Sequence, residues 1–493
     1  MSDKRNDLIR KASYFSLLLL FLLTSGCAIN PVTGKQDFVL MSESDEMSLG
    51  RRYSTEVMKK YRLYADSDLQ KYVQNVGQKL AKVSHRNALN YHFTLLDSTE
   101  VNAFALPGGY IYITRGLLAY LNSEDELAAV LGHELGHVTA RHSVRQNSLS
   151  TTTNLLGAVF AAATGVREVG QLSQLVSTGI VRGYGREHEL EADRLGLEYL
   201  AKAGYSTGAM RRVIGILKNQ EVFERKVAIE QGRQPRVYHA VFATHPDNDT
   251  RLQEVLLESS RRFVVIPEKT KQDVSFLKRL DGLTFGDSEE DGVARGHVFY
   301  HKSLNVKFNI PKNWLFQNGI NAIQLSAPNS AAILQIRVNS LDRDLSPREF
   351  MREKLGVAET LSEKPLKLAS YRGYTAVVGV QTAYGLKKTR VTVLMNSSHA
   401  YTVMATAKQD GKFAQYDDVF LKTAKSFSTL SRKDKREARE FKIKLVWAPR
   451  TTKLSSLVKS SPIAHHAEAQ LRLLNNLFPK GEPKLGDLIK IVR

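Results

Sequence analysis

The stretch His133-Glu134-Leu135-Gly136-His137 constrains this chain more than any other. On an α-helix, positions i and i+4 lie on one face, so both imidazoles can reach one metal ion. Glu134 then stands beside an open coordination position, where a carboxylate can take a proton from bound water. The chain must therefore place a helix here and bring a third ligand from elsewhere.

The surrounding residues predict that helix. Ser123 is a candidate N-cap, and Glu126 three residues on completes the pattern of a capping box. Leu127, Val130, Leu131, Leu135 and Val138 recur at helical spacing, and the expected helix runs from Glu124 to Gln146. Gly132 and Gly136 lower helix propensity. Small residues there either admit a close backbone or substrate or merely relieve packing. His142, five residues past His137, is turned away from the pair and is expected as an exposed histidine or a cap contact.

A catalytic zinc takes three protein ligands and keeps a position for water. Arg186-Glu187-His188-Glu189-Leu190-Glu191-Ala192-Asp193 lies about fifty residues downstream, and on composition Glu187, Glu189 and Glu191 compete for the third place. His-Glu-x-x-His followed by Glu-x-x-x-Asp resembles the signature of the gluzincin peptidases of family M48. That family includes the CAAX prenyl protease, the HtpX-like membrane proteases and the periplasmic beta-barrel assembly-enhancing protease. The resemblance implies one Zn2+ per chain held by His133, His137 and Glu189, with Asp193 orienting a histidine from behind. Glu134 is then the general base, later passing its proton to the leaving amine.

Two further stretches carry the same resemblance. Val101 to Thr114, with Pro107-Gly108-Gly109 as turn, looks like the family's rim strand, turn and following strand. Asn102, Ala103, Phe104 and Ala105 would offer an edge to an extended peptide, while an ordinary core hairpin fits the residues equally well. Thr244-His245-Pro246-Asp247-Asn248-Asp249-Thr250-Arg251 matches a His-Pro and an Arg found near the metal. There His245, supported by Arg251, would either donate to the oxyanion or occupy the zinc and silence it.

The N-terminus speaks of export. Lys4, Arg5, Arg10 and Lys11 precede the apolar run Ala12 to Leu23, which is too short for a membrane span. Thr24-Ser25-Gly26-Cys27 resembles a bacterial lipoprotein lipobox, with Thr24 where leucine is usual. Cys27 is the only cysteine, so an internal disulfide is impossible and lipidation is its expected role. Ala28 in place of aspartate implies sorting to the outer membrane, facing the periplasm. The net charge of +20, about +18 without residues 1–26, favours anionic surfaces. No nucleic-acid motif accompanies it, so nucleic acid is not an expected partner.

The expected fold class is α+β. A lipoprotein signal peptide (1–26) precedes a mainly helical zincin-type peptidase domain (27–262), in which the small apolar run Asn154 to Gly165 is a core helix or a flap. A charged linker region (263–296) leads to an α+β accessory domain (297–430). Its strand signals include Val306 to Pro311, Ala332 to Val338, Thr375 to Val380, Val391 to Met395 and Tyr401 to Ala405. Helices are expected after Ser346-Pro347 and near Phe413 to Lys425. Residues 441–493 resemble a lysin motif of βααβ order, lacking its Gly-Asp-Thr. Binding peptidoglycan and merely packing on the rest of the chain stand as equal alternatives for it. Two functions follow from these parts. One is a zinc endopeptidase acting on misfolded or stalled envelope proteins; the other is a lipid-anchored chaperone or tether that binds unfolded chains with little cleavage. A cell-wall amidase ranks third.

Overall fold

The computed structural model describes residues 27–39, 41–146, 148, 185–230, 250–255, 257, 272–319, 322–341, 343–357, 359–382, 385–449 and 453–493. The expected signal peptide, the run Asn154 to Gly165 and His245 lie outside the described residues. The fold is α+β and divides into two units. One holds the chain up to Asp281 together with Lys444–Lys459 and His466–Ile491; the other holds Gly282–Ile443, Ser460–His465 and Val492–Arg493.

The first unit opens with an antiparallel hairpin, β1 (Cys27–Ile29) and β2 (Gln36–Phe38). Asn30 closes it, accepting from the Val32 and Thr33 amides and donating to Asp37 at 2.6 Å. Helix α1 (Glu43–Lys60) follows, and then β3 (Arg62–Leu63) and α2 (Ser67–Ala81). Leu69, Val73, Val76 and Leu80 of α2 are buried at helical spacing. Gln74 and Gln70 of that helix accept from the Phe93 and Leu95 amides of β4 (His92–Asp97), stitching helix to sheet.

With β5 (Ala103–Leu106) and β6 (Tyr110–Thr114), the sheet takes the order β3-β4-β6-β5. The turn Pro107–Gly109 needs its glycines: Gly108 and Gly109 have φ of +75° and +91°, and a Cβ on Gly109 would meet Asn90 O at 2.7 Å. Strand β5 is an edge, paired among the described residues with β6 alone. Asn102 lies just before it, buried, its carbonyl taken by the Thr114 amide at 3.0 Å.

After α3 (Arg115–Leu118) comes α4 (Glu124–Thr139), buried along almost its whole length. Ser123 caps it, accepting from the Glu126 amide at 3.2 Å. Glu126 does not return to Ser123 as a capping box would require. Its carboxylate accepts from the Asn122 amide at 2.7 Å and from Arg212 at 3.0 Å. Helix α4 also ends earlier than expected. Arg141 takes a left-handed φ of +54°, and helical backbone resumes only at 142–146. That conformation strains a non-glycine residue. Glu46 accepts from Arg141 Nε at 2.8 Å and Met41 O from Nη2 at 3.0 Å, which fix it. Helices α5 (Arg186–Lys202), α6 (Gly208–Glu230) and α7 (Val274–Arg279) continue the unit.

The second unit begins inside the segment expected as linker. Residues there form β7 (Thr284–Phe285) and β8 (Val293–Arg295), because Thr284, Val293 and other side chains find buried places. Strand β8 continues antiparallel into β9 (Val298–His301) and β10 (Val306–Asn309). A seven-stranded antiparallel sheet follows in the order β11-β12-β13-β17-β16-β15-β14. Its strands are β11 (Leu315–Gly319), β12 (Ala322–Ser326), β13 (Ala332–Ser340), β14 (Ser362–Lys367), β15 (Arg372–Thr382), β16 (Gly385–Met395) and β17 (His399–Ala407). Alternation sorts its two faces. Val377, Leu394, Tyr401 and Val403 join the core with α9 (Phe413–Lys425). Ala376, Val378, Val393 and Met395 join Phe350 and Met351 of α8 (Pro347–Glu353), whose capping box at Ser346 is complete. Helix α10 (Arg432–Glu437) precedes β18 (Phe441–Trp447).

The C-terminal segment has the expected βααβ order: β18, α11 (Leu454–Val458), α12 (Ala467–Leu474) and β19 (Leu488–Val492). Most of it belongs to the first unit. Lys490 is fully buried, its ammonium donating to Ala119 O at 2.7 Å and Leu121 O at 2.8 Å, just ahead of α4. Tyr120 donates to Gln470, and Phe223 of α6 packs edge-on to His466 and Phe478. Burial lowers the Lys490 pKa to about 7 from 10.5, against the opposing pull of Glu126. A lysine whose pKa falls on folding costs stability while charged. That cost is complete below about pH 7 and fades as pH rises toward 10.5. The melting temperature of the wild type minus that of Lys490→Met should therefore increase between pH 7 and pH 10. A difference that stays flat over that range would contradict the assignment.

Candidate metal centre

Helices α4 and α5 meet backbone to backbone. A Cβ on Gly136 would lie 2.8 Å from Ala192 O, whereas one on Gly132 would rest at an ordinary 3.5 Å from Gly196 O. This approach carries Glu189, in the first turn of α5, over the histidine pair of α4. His133 Nε2 and His137 Nε2 are 3.0 Å apart, and the Glu189 carboxylate oxygens lie 3.5 Å and 3.4 Å from them. Ligands held tetrahedrally at about 2.0–2.2 Å from zinc would sit about 3.3–3.6 Å from one another. The triangle is of that size, and among the described residues these three form a group able to hold a metal ion.

Charge fits as well. Glu134, Glu189 and Asp193 are all buried, and Arg251, buried against two of them, leaves an excess of two negative charges. A divalent cation offsets that excess in a place where unbalanced charge is costly. The pull on positive charge is visible at His133. Burial and Arg251 both work to lower its pKa, yet Asp193 and Glu189 lift it to about 9.

Asp193 stands behind the ligands, as the resemblance implies. His133 Nδ1 lies 2.8 Å from its Oδ1, so the imidazole donates there and keeps Nε2 for a metal. Arg251 grips the same carboxylate through two bonds of 2.7 Å and reaches Glu189 at 3.3 Å. Burial opposes the Asp193 charge, but Arg251 and these hydrogen bonds hold its carboxyl below the usual range. Arg251 thus fastens the ligand shell directly. The competing glutamates separate cleanly: Glu187 is exposed, and Glu191 bonds His142 at 3.0 Å and Arg145 at 3.0 Å.

His142 was expected at the surface or on a helix cap, and it is neither. It is fully buried, its Nδ1 2.8 Å from Nδ1 of His137. The turn at Arg141 swings the chain back toward the histidine face of α4. Neither glycine nor proline marks that break, so the periodicity of the sequence ran straight through it. His188 stacks on His142 at 4.3 Å.

The rim strand faces this helix. A small crevice is lined by Ala105, Leu106 and Pro107 on one side and His137 and Val138 on the other. Glu134 is buried on α4 between the two ligand histidines.

Residues 67–258 match the model of Peptidase family M48. Over 229 residues the chain is 29% identical to the beta-barrel assembly-enhancing protease of Escherichia coli (strain K12), covering 43% of this chain and 44% of that protein. It is 29% identical over 229 residues to the mitochondrial metalloendopeptidase OMA1 of Schizosaccharomyces pombe, covering 46% and 64%. The matches thus span less than two thirds of either relative. Among solved structures, cyanobacterial PsbP from Synechocystis sp. PCC 6803 is similar at 12% identity and a TM-score of 0.23, covering 28% of this chain and 95% of that one. That likeness is too slight to carry an argument.

The glycine contact can be checked. Gly136→Ala should lower stability by about 1–3 kcal/mol in chemical denaturation and weaken metal uptake, because backbone must move. Gly132→Ala should be neutral or stabilising by up to about 1 kcal/mol, since its Cβ meets only ordinary contact. Equal effects at the two sites would contradict the packing described.

Proposed function

We propose that this chain is a zinc-dependent endopeptidase that cleaves misfolded or stalled proteins of the cell envelope. The observation that carries the reading is the buried triangle of His133, His137 and Glu189, with Glu134 between the histidines, inside an M48 domain. Zinc bound by these three side chains would supply Lewis-acid polarisation of the scissile carbonyl and of water. The edge of β5 suits an extended peptide, which would add to the sheet through backbone hydrogen bonds of loose sequence preference. Glu134 takes the proton of the attacking water as its oxygen bonds to the carbonyl carbon. The same carboxyl then gives that proton to the amide nitrogen as the C–N bond breaks. Asp193 and Arg251 keep His133 and Glu189 in place throughout. His245 either donates to the oxyanion or blocks the ligand triangle at rest.

In this reading Cys27 carries the lipid that holds the protein on the outer membrane, facing the periplasm. No helix among the described residues is long and apolar enough to cross a membrane. The names of the bacterial relatives support an envelope role. For the C-terminal segment, the burial of Lys490 beneath Ala119 and Leu121 favours packing on the peptidase residues over glycan binding.

Glu134→Gln should keep one zinc per chain by elemental analysis and cut casein about 10²–10⁴-fold more slowly. Cleavage at the wild-type rate would remove Glu134 as the base. If the zinc-loaded wild type binds unfolded casein but never cuts it, the protein is a tether. Cells grown with labelled palmitate should label the wild type and not Cys27→Ser; equal labelling would refute the anchor.

A further inference from the structure

The two histidines of the metal triangle are held from behind in different ways. His133 donates directly to a carboxylate that an arginine grips. His137 meets a second imidazole first. Its Nδ1 lies 2.8 Å from His142 Nδ1, His142 Nε2 lies 3.0 Å from Glu191 Oε2, and Arg145 donates to that oxygen at 3.0 Å. Arg145 Nε then lies 3.3 Å from Asp37 of β2.

Resting on the metal reading above, we propose that His142, Glu191 and Arg145 form a positioning relay that sets the tautomer and ring orientation of the ligand His137. The relay ties that ligand to the N-terminal hairpin.

The direction of every bond follows from its neighbour. His137 presents Nε2 to the other ligand atoms, so its hydrogen sits on Nδ1 and is donated. His142 must accept at Nδ1, which leaves its own hydrogen on Nε2. A carboxylate can only accept, and Glu191 does so from both His142 and Arg145. No member can change role without breaking a hydrogen bond that is buried or partly buried. The stacked ring of His188 at 4.3 Å limits rotation of His142. Both ligand histidines thus end on a carboxylate–arginine pair, one with an imidazole inserted because the left-handed Arg141 brings His142 back under α4. Helix α5 supplies Glu189 to the metal and Glu191 to the relay, so one rigid element sets both.

The far end lies on the hairpin. Asp37 pairs across to Ala28 of β1 and also accepts from Asn30 at 2.6 Å. The relay therefore connects the metal triangle to the residue that follows Cys27.

The test is metal affinity, read on the full-length chain by competing zinc against a fluorescent chelator, with the visible spectrum of the cobalt-substituted protein as second readout. His142→Ala should weaken zinc binding about 10–100-fold and shift the cobalt bands. His142→Asn keeps an acceptor near the place of Nδ1 and should recover part of the loss, which also covers the case in which the alanine variant fails to fold. Glu191→Gln should lose less than His142→Ala, and Asp37→Asn less than Glu191→Gln, because each step lies further from the metal. Unchanged affinity and spectrum in both His142 variants, with normal binding by the wild type, would overturn the relay alone. A wild type that takes up no zinc would overturn the metal reading, and the relay with it.

Discussion

The contact between Gly136 and Ala192 is the constraint on which the site depends. Two helices from distant parts of the chain touch backbone to backbone there, with no room for a single methyl group. Only at that separation does Glu189 come within 3.5 Å of both histidines. The cost of glycine inside a helix is offset by burial of almost all of α4, so tertiary packing and not propensity holds the helix.

Once the helices are that close, electrostatics decides the rest. Carboxylates this deep must be balanced, and Arg251 balances only part of the charge. What remains suits a divalent cation. The surrounding donors then have little freedom. Asp193 fixes one imidazole, and the chain of His142, Glu191 and Arg145 lies behind the other. The edge strand β5 lies beside this centre, with a small crevice between it and His137. The C-terminal segment is tied to the start of α4, with Lys490 bonded to the carbonyls that lead into that helix.

Much of the fold was legible because local patterns and tertiary demands agreed. The strands expected at Val306, Ala332, Thr375, Val391 and Tyr401 all form, the first in the three-stranded sheet and the others in the seven-stranded one, since these side chains all find buried places. The helices expected after Ser346-Pro347 and near Phe413 to Lys425 both form. The misreadings share a cause. The segment 263–296 looked like linker because it is rich in charge, yet within it Val274–Arg279 forms a helix and Val293–Arg295 a strand, whose apolar residues find burial that no local pattern reveals. The expected box at Ser123 is half made because Arg212, from a distant helix, competes for Glu126. The long helix to Gln146 breaks at Arg141 because Glu46 and Met41 O, both remote in sequence, stabilise a left-handed residue there.

The sequence by itself determined the chemistry: two histidines one helical turn apart, a glutamate beside the first, and Glu189 and Asp193 one turn apart downstream. Spacing along a helix is a local property, so these residues declare themselves without their partners. Tertiary structure alone decided that Glu191 faces His142, and that His142 is buried at all. It also decided that β19 inserts a lysine beneath the carbonyls just ahead of α4. Those outcomes depend on where a turn aims the backbone and on which distant charge must be balanced. Neither is encoded in the periodicity of a single segment.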